Sequence, residues 1–98
     1  MAYGIVLEFT NVGREQYDAV NQKLGIDSTS SESDWPAGLI SHGAGPLPGG
    51  GWIVTEIWES KAAHEAFMGG RLGAALAAVG IPAPTRVTES DLLTHQLP

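Results

Sequence analysis

The stretch Gly51-Trp52-Ile53-Val54-Thr55-Glu56-Ile57-Trp58-Glu59-Ser60 constrains this chain more than any other part of it. Side chains alternate along an extended backbone, so Ile53, Thr55 and Ile57 share one face and Trp52, Val54, Glu56 and Trp58 the other. That period predicts a central β-strand. Ser60, whose hydroxyl suits an N-cap, predicts a helix directly after it. The first face is an ordinary core face. The second joins two indoles to a carboxylate, a combination suited to lining a cavity.

Such a strand needs neighbours, and the flanking sequence supplies them. Residues 4–10 read as a strand with Ile5, Leu7 and Phe9 on one face and Gly4, Val6, Glu8 and Thr10 on the other. After a turn at Asn11-Val12-Gly13, Tyr17, Val20 and Leu24 recur at helical spacing, which predicts a helix over 14–24 ended by Gly25. The polar residues 26–37 read as a loop closed by Trp35-Pro36, where Trp35 either clips the loop to the body or roofs a pocket. A strand over 38–43 and a Gly/Pro-rich connection over 44–50 lead by a hairpin into the central strand. A hairpin symmetric about Leu47 sets His42 opposite Trp52 and Ile40 opposite Val54, with His42 on the indole face; a slip of one residue sends it to the other. In a second helix over 61–79, Ala63, Phe67, Leu72, Leu76 and Val79 form the apolar stripe, with a kink expected at Gly69-Gly70 and Gly73. Gly80 and Pro82 end it, and residues 85–96 form a last extended segment.

The order β-α-β-β-α-β predicts a single α+β domain over 1–98, a ferredoxin-like split βαβ fold with a four-stranded antiparallel-type sheet and two helices on one face. The first and third strands are expected as parallel neighbours at the centre. Val6 and Glu8 then lie beside Trp52, Val54, Glu56 and Trp58 on a face that nothing in the chain covers. An exposed patch of that kind requires cover, so a homodimer packed sheet face to sheet face is expected.

Composition narrows the partners. A chain of 98 residues with 43% apolar residues holds one core and has no apolar run near the ~20 residues of a membrane span. No basic segment followed by an apolar stretch opens it, so no signal peptide is expected and the cytoplasm is the expected location. The absence of cysteine excludes disulfides and thiolate metal sites. Five Lys and Arg against eleven Asp and Glu give a net charge of −6, and Arg14, Lys23, Lys61, Arg71 and Arg86 are scattered, which argues against nucleic acid and anionic membranes.

Three polar residues carry the candidate chemistry. Glu8 and Glu56, mid-strand on adjacent strands, form an acid/base pair if held close; otherwise each pairs with Arg86 or points to solvent. His42 is either a proton acceptor or a half-buried histidine bonded to backbone. Glu8, Glu56 and His42 also resemble a carboxylate-rich metal set, but no pair sits at a local ligand spacing and no metal is expected. His64 is expected on a solvated side of the second helix and His95 at the surface or on an edge strand. Gly43-x-Gly45 precedes a strand and so lacks the helix N-terminus of a phosphate loop.

With Ile57-Trp58-Glu59-Ser60-Lys61 followed by Phe67, the chain resembles the dimeric α+β barrel superfamily, and more closely its antibiotic-biosynthesis-monooxygenase-like group. That group includes cofactor-independent quinone-forming monooxygenases, polyketide cyclases, haem-degrading enzymes and small proteins of unknown role. The resemblance implies a homodimer binding a small molecule, with oxygenation of an aromatic or polyketide-like substrate as the activity and no cofactor. His42, Glu56 or Glu8 would act as base, and Trp52, Trp58, Val54, Val6, Trp35 and Phe67 would line the site. A ligand-binding or accessory protein, or a polyketide cyclase or isomerase, stands as the alternative. The haem-degrading branch would place its haem-ruffling Trp at Phe67 and its proximal His at Ala77, so that mode is not expected. His64 lies about three and a half turns from Ala77 and is no substitute.

Overall fold

Alternating apolar residues build the two central strands of one four-stranded sheet, and the computed structural model describes residues 2–96. The elements are β1 (Ala2–Phe9), α1 (Arg14–Leu24), β2 (Leu39–Pro46), β3 (Trp52–Trp58), α2 (Lys61–Phe67), a π-helical turn (Met68–Leu72), α3 (Gly73–Val79) and β4 (Arg86–Leu92). The strands lie in the order β2-β3-β1-β4. This is the ferredoxin-like α+β arrangement, with β1 and β3 at the centre.

Every neighbouring pair in the sheet is antiparallel, β1 and β3 included. The expected parallel pairing of those two is therefore corrected. The crossover through α1 makes β2 run with β1 and leaves a gap of one strand between them. β3, as the hairpin return of β2, must enter that gap in the opposite sense.

Register decides which faces meet. Tyr3 pairs with Trp58, Ile5 with Glu56, Leu7 with Val54 and Phe9 with Trp52. Partners directly opposite share a face, so both indoles lie on the same side as Ile5, Leu7 and Phe9, beneath the helices. Trp58 is 0% exposed and Trp52 7%. The expectation that Trp52, Val54, Glu56 and Trp58 sit on the uncovered face is overturned. Burying an aromatic side chain removes 150–250 Å² from water, about 4–6 kcal/mol each at ~25 cal/mol per Å². Two isoleucines contribute less than two tryptophans, so the helices cover the indole face even though Glu56 comes with it. Ile53, Thr55 and Ile57 instead share the open face with Gly4, Val6 and Glu8.

The helices close one core in two clusters. Tyr3, Ile5, Leu7, Phe9, Trp52 and Trp58 form the sheet layer, with Tyr17, Ala63 and Phe67 packed on it. Val20, Leu24, Ile26 and Ala75 form the second, joined by Leu72, Leu76 and Val79. The Ser60 hydroxyl accepts from Ala63 N at 3.1 Å and caps α2, and Gly25 ends α1 in the left-handed conformation at φ 75°. The expected kink falls at Gly70, whose φ of −114° and ψ of −107° break the helix between α2 and α3. The wider π turn carries Leu72 into the apolar cluster and leaves Arg71 at the surface of the loop after α1.

β2 runs further than its glycines suggest, through Ala44, Gly45 and Pro46. It is an edge strand, where a proline is tolerated. The hairpin turn is therefore short, closed by Leu47 N to Gly51 O at 3.1 Å. At Gly51, φ is +94° and a Cβ would stand 2.4 Å from Phe9 O, so only glycine fits. His42 pairs with Glu56 and Pro46 with Trp52, a different register from the one symmetric about Leu47, although His42 stays on the indole side.

Candidate functional site

Between the indole face of the sheet and the helices lies a cavity of about 90 Å³, walled by apolar side chains including Leu7, Phe9, Trp52, Val54, Phe67 and Leu76. Trp35, Tyr17, His42 and Glu56 also border it. Of the residues proposed from sequence, His42, Glu56, Trp52, Val54, Trp35 and Phe67 thus surround one space. It lies inside a single chain, not between two copies on the open face.

Hydrogen bonds order the polar end. His42 Nδ1 and Glu56 Oε2 are 2.8 Å apart. The second carboxylate oxygen accepts from Trp58 Nε1 at 3.1 Å. A carboxylate at Nδ1 holds the ring proton there and leaves Nε2 as an acceptor. Nε2 lies 2.6 Å from the hydroxyl of Tyr17. The four side chains form a chain of bonds running Tyr17, His42, Glu56, Trp58, from α1 across β2 to β3. His42 and Glu56 side chains are 14% and 9% exposed, so the pair is shielded from competing water. Burial pushes the Tyr17 hydroxyl above its usual pKa of 10.0, so it stays a proton donor at neutral pH.

Trp35 answers both of its readings. Its Nε1 donates to Ser30 O at 2.7 Å, which clips the loop. Its ring sits 5.1 Å from that of His42 and closes the cavity there. Arg71 fastens the same loop, donating to Leu24 O at 2.8 Å and to Asp34 Oδ2 at 3.1 Å.

Several expectations fail on geometry. Glu8 and Val6 are on the open face, where Glu8 lies 3.6 Å from Arg86 Nε. Glu8 and Glu56 are therefore on opposite sides of the sheet and form no acid/base pair, and the set Glu8, Glu56 and His42 cannot share a metal. Among the described residues no group of three or more His, Asp or Glu converges on a common point. Trp58 lies under the sheet–helix interface and orients Glu56 without bordering the cavity. His64 is buried, 6% exposed, against Trp58 at 5.3 Å and Tyr3 at 5.6 Å. Helix α2 turns that side to the sheet because Ala63, His64 and Phe67 lie on one face. Burial lowers the His64 pKa from 6.5.

Tyr17 was legible in the sequence only as a core residue of α1. A signal lay beside it: Gln16, Tyr17 and Asn21 put three polar groups on the inward side of that helix, and all border the cavity. Two buried donors there, Asn21 Nδ2 and Trp52 Nε1, have no hydrogen-bond partner among the described residues. Buried polar atoms are rarely left so.

A four-stranded sheet with a cavity under its helices and a tyrosine–histidine–glutamate chain at one end defines a small α+β protein with an interior site. No family model and no curated protein matches the sequence. Solved structures do match in fold. A Chloroflexus aurantiacus protein described as a candidate antibiotic biosynthesis monooxygenase has 21% identity and a TM-score of 0.66, covering 98% of this chain and 97% of that one. Rv0793 from Mycobacterium tuberculosis has 18% identity and a TM-score of 0.66, covering 97% and 98%. A variant of MhuD with two manganese protoporphyrin IX molecules bound per active site has 18% identity and a TM-score of 0.58, covering 100% of both chains. The chain shares the fold of these three solved structures.

A porphyrin does not suit the residues present. Ala77 is exposed on α3 and has no ligating atom. Both ring nitrogens of His42 are engaged, and His64 stands outside the cavity wall.

Proposed function

We propose that the chain binds an aromatic or polyketide-like small molecule in this cavity and oxygenates it without a bound cofactor. The observation that carries the reading is the His42–Glu56 pair, 2.8 Å apart at the polar end of an otherwise apolar space. An imidazole oriented by a carboxylate at Nδ1 can accept a proton at Nε2. Deprotonation of a phenol or enol gives an electron-rich anion that reacts with dioxygen. For a methylene ring carbon the balance is R2CH2 + O2 → R2CO + H2O. Trp52 supplies an aromatic wall for the ring. The unpaired donors on Asn21 and Trp52 suit an acceptor oxygen on the same ligand. Their presence favours ligand binding over an empty core.

The test is oxygen uptake with an anthrone, whose ring methylene becomes the carbonyl, compared between wild type and His42→Ala. Uptake lost in the variant supports the reading, and equal uptake in both removes His42 from the mechanism. Product without oxygen consumption would assign a cyclase or isomerase, and tight binding without product a carrier. The carrier reading has its own support: His42 Nε2 already has a partner.

The partner proposed for the open sheet face is a second copy of this chain. Val6, Ile53 and Ile57 face outward there with no element of the described residues over them. Without the tryptophans the patch is smaller than the sequence suggested, and the cavity is complete without it. No described helix is long and apolar enough to cross a membrane.

A further inference from the structure

Both nitrogens of His42 are occupied, Nδ1 by Glu56 and Nε2 by Tyr17. A neutral imidazole has one donor and one acceptor, so nothing on His42 remains for a ligand. The Tyr17 oxygen gives its proton to Nε2, and a phenolic oxygen can also accept a hydrogen bond. Its ring lies nearly parallel to that of His42, with centroids 6.0 Å and planes 8° apart, and 5.2 Å from that of Trp52. The hydroxyl is therefore fixed in place, and Tyr17 borders the cavity.

We infer that Tyr17 is the group that meets the ligand's hydroxyl and relays its proton to His42, and that the site selects ring compounds carrying an acidic O–H, a phenol or an enol. This rests on the ligand-binding reading above. In the step, the ligand O–H bond breaks and its proton passes to Tyr17 Oη as Tyr17 gives its own proton to His42 Nε2. Tyr17 ends as the phenol it began as. The ligand becomes an anion, and the imidazolium is held by Glu56 at Nδ1. No electron is transferred and no other reactant is needed. Burial keeps the phenol from ionising on its own, so it acts as a conduit and not as a standing base.

The test uses 4-nitrophenol and nitrobenzene, which share the ring and the acceptor nitro group and differ in the hydroxyl. Tyr17→Phe keeps the aromatic wall and removes only the oxygen. A hydrogen bond to an ionised group supports an affinity difference of roughly tenfold or more. We expect Tyr17→Phe to weaken 4-nitrophenol about tenfold and to leave nitrobenzene within about twofold. Equal losses for both probes would make Tyr17 a packing residue. Unchanged or tighter 4-nitrophenol binding would mean that the probe reaches His42 directly. Either overturns the inference, whereas wild-type protein that binds neither probe overturns the ligand-binding reading itself. The chain has two tyrosines, which gives a second readout if the variant does not fold. In wild-type protein labelled with 3-fluorotyrosine and assigned through Tyr3→Phe, 4-nitrophenol should move the Tyr17 fluorine resonance and nitrobenzene should not. A resonance indifferent to the hydroxyl refutes the contact.

Discussion

Replacing Trp58 by phenylalanine tests the face assignment and the polar chain together. Trp58 is fully buried, its ring 5.7 Å from Phe67 and 5.3 Å from His64, and its N–H donates to Glu56 at 3.1 Å. Indole to phenyl removes three ring atoms, which costs about 1–2 kcal/mol at ~0.8 kcal/mol per buried methylene with a small cavity added. The lost bond to a carboxylate costs about 1.5–3 kcal/mol. Glu56 keeps slight contact with solvent, which favours the lower end, so the sum is about 3 kcal/mol. In urea, at a slope near ~1.5 kcal/mol per M, that lowers the unfolding midpoint by about 2 M. A cycle with Glu56→Leu separates the two parts. In the leucine background the phenylalanine should cost about 1.5 kcal/mol less, because the bond is already gone. A total cost under about 1 kcal/mol would mean that the indole is not buried under the helices. A cost equal in both backgrounds would mean that the N–H to carboxylate bond contributes nothing.

His64 is buried and its pKa is depressed by that burial, which outweighs the opposite pull of Glu56, Glu65 and Glu89. The unfolded chain then binds more protons than the folded one below pH ~6.5, so stability falls as pH drops through that value, by at most about 1.4 kcal/mol per pH unit; His64→Phe should flatten urea midpoints measured between pH 7.5 and 5, and parallel curves would refute the argument. Arg71→Ala should change stability by under about 1 kcal/mol, since its pair with Asp34 is exposed, yet speed proteolysis within residues 27–34 several-fold; unchanged cleavage would show that Arg71 does not fasten the loop. The homodimer predicts that wild-type protein sediments as a dimer at micromolar concentration and that Ile57→Lys sediments as a monomer, and a monomeric wild type would sink it.

The element order, the Ser60 cap, the Gly25 stop and the break at Gly69-Gly70 could all be read from spacing, because each depends on a few adjacent residues. The covered side of β3 could not. Both of its faces are apolar enough to be core, and alternation says which residues travel together without saying which way they point. The partner strand settles that question, and Ile5 opposite Glu56 is a contact between residues 51 positions apart. His42 reached the indole side as expected, but its partner is Glu56, since the turn is centred on Gly49 and not on Leu47. Tyr17 stayed hidden because a tyrosine on a helical stripe looks like any other core aromatic until the strand behind it brings a histidine within 2.6 Å.

The hairpin at Leu47–Gly51 has a consequence well away from itself. Its length fixes the offset between β2 and β3, and that offset sets the imidazole of His42 across from the carboxylate of Glu56. One residue more or fewer in this exposed corner would turn the histidine toward the bare side of the sheet and empty the polar end of the cavity without altering any residue that borders it. The corner therefore works as a ruler: its count of residues, more than most of their identities, is what the chemistry depends on.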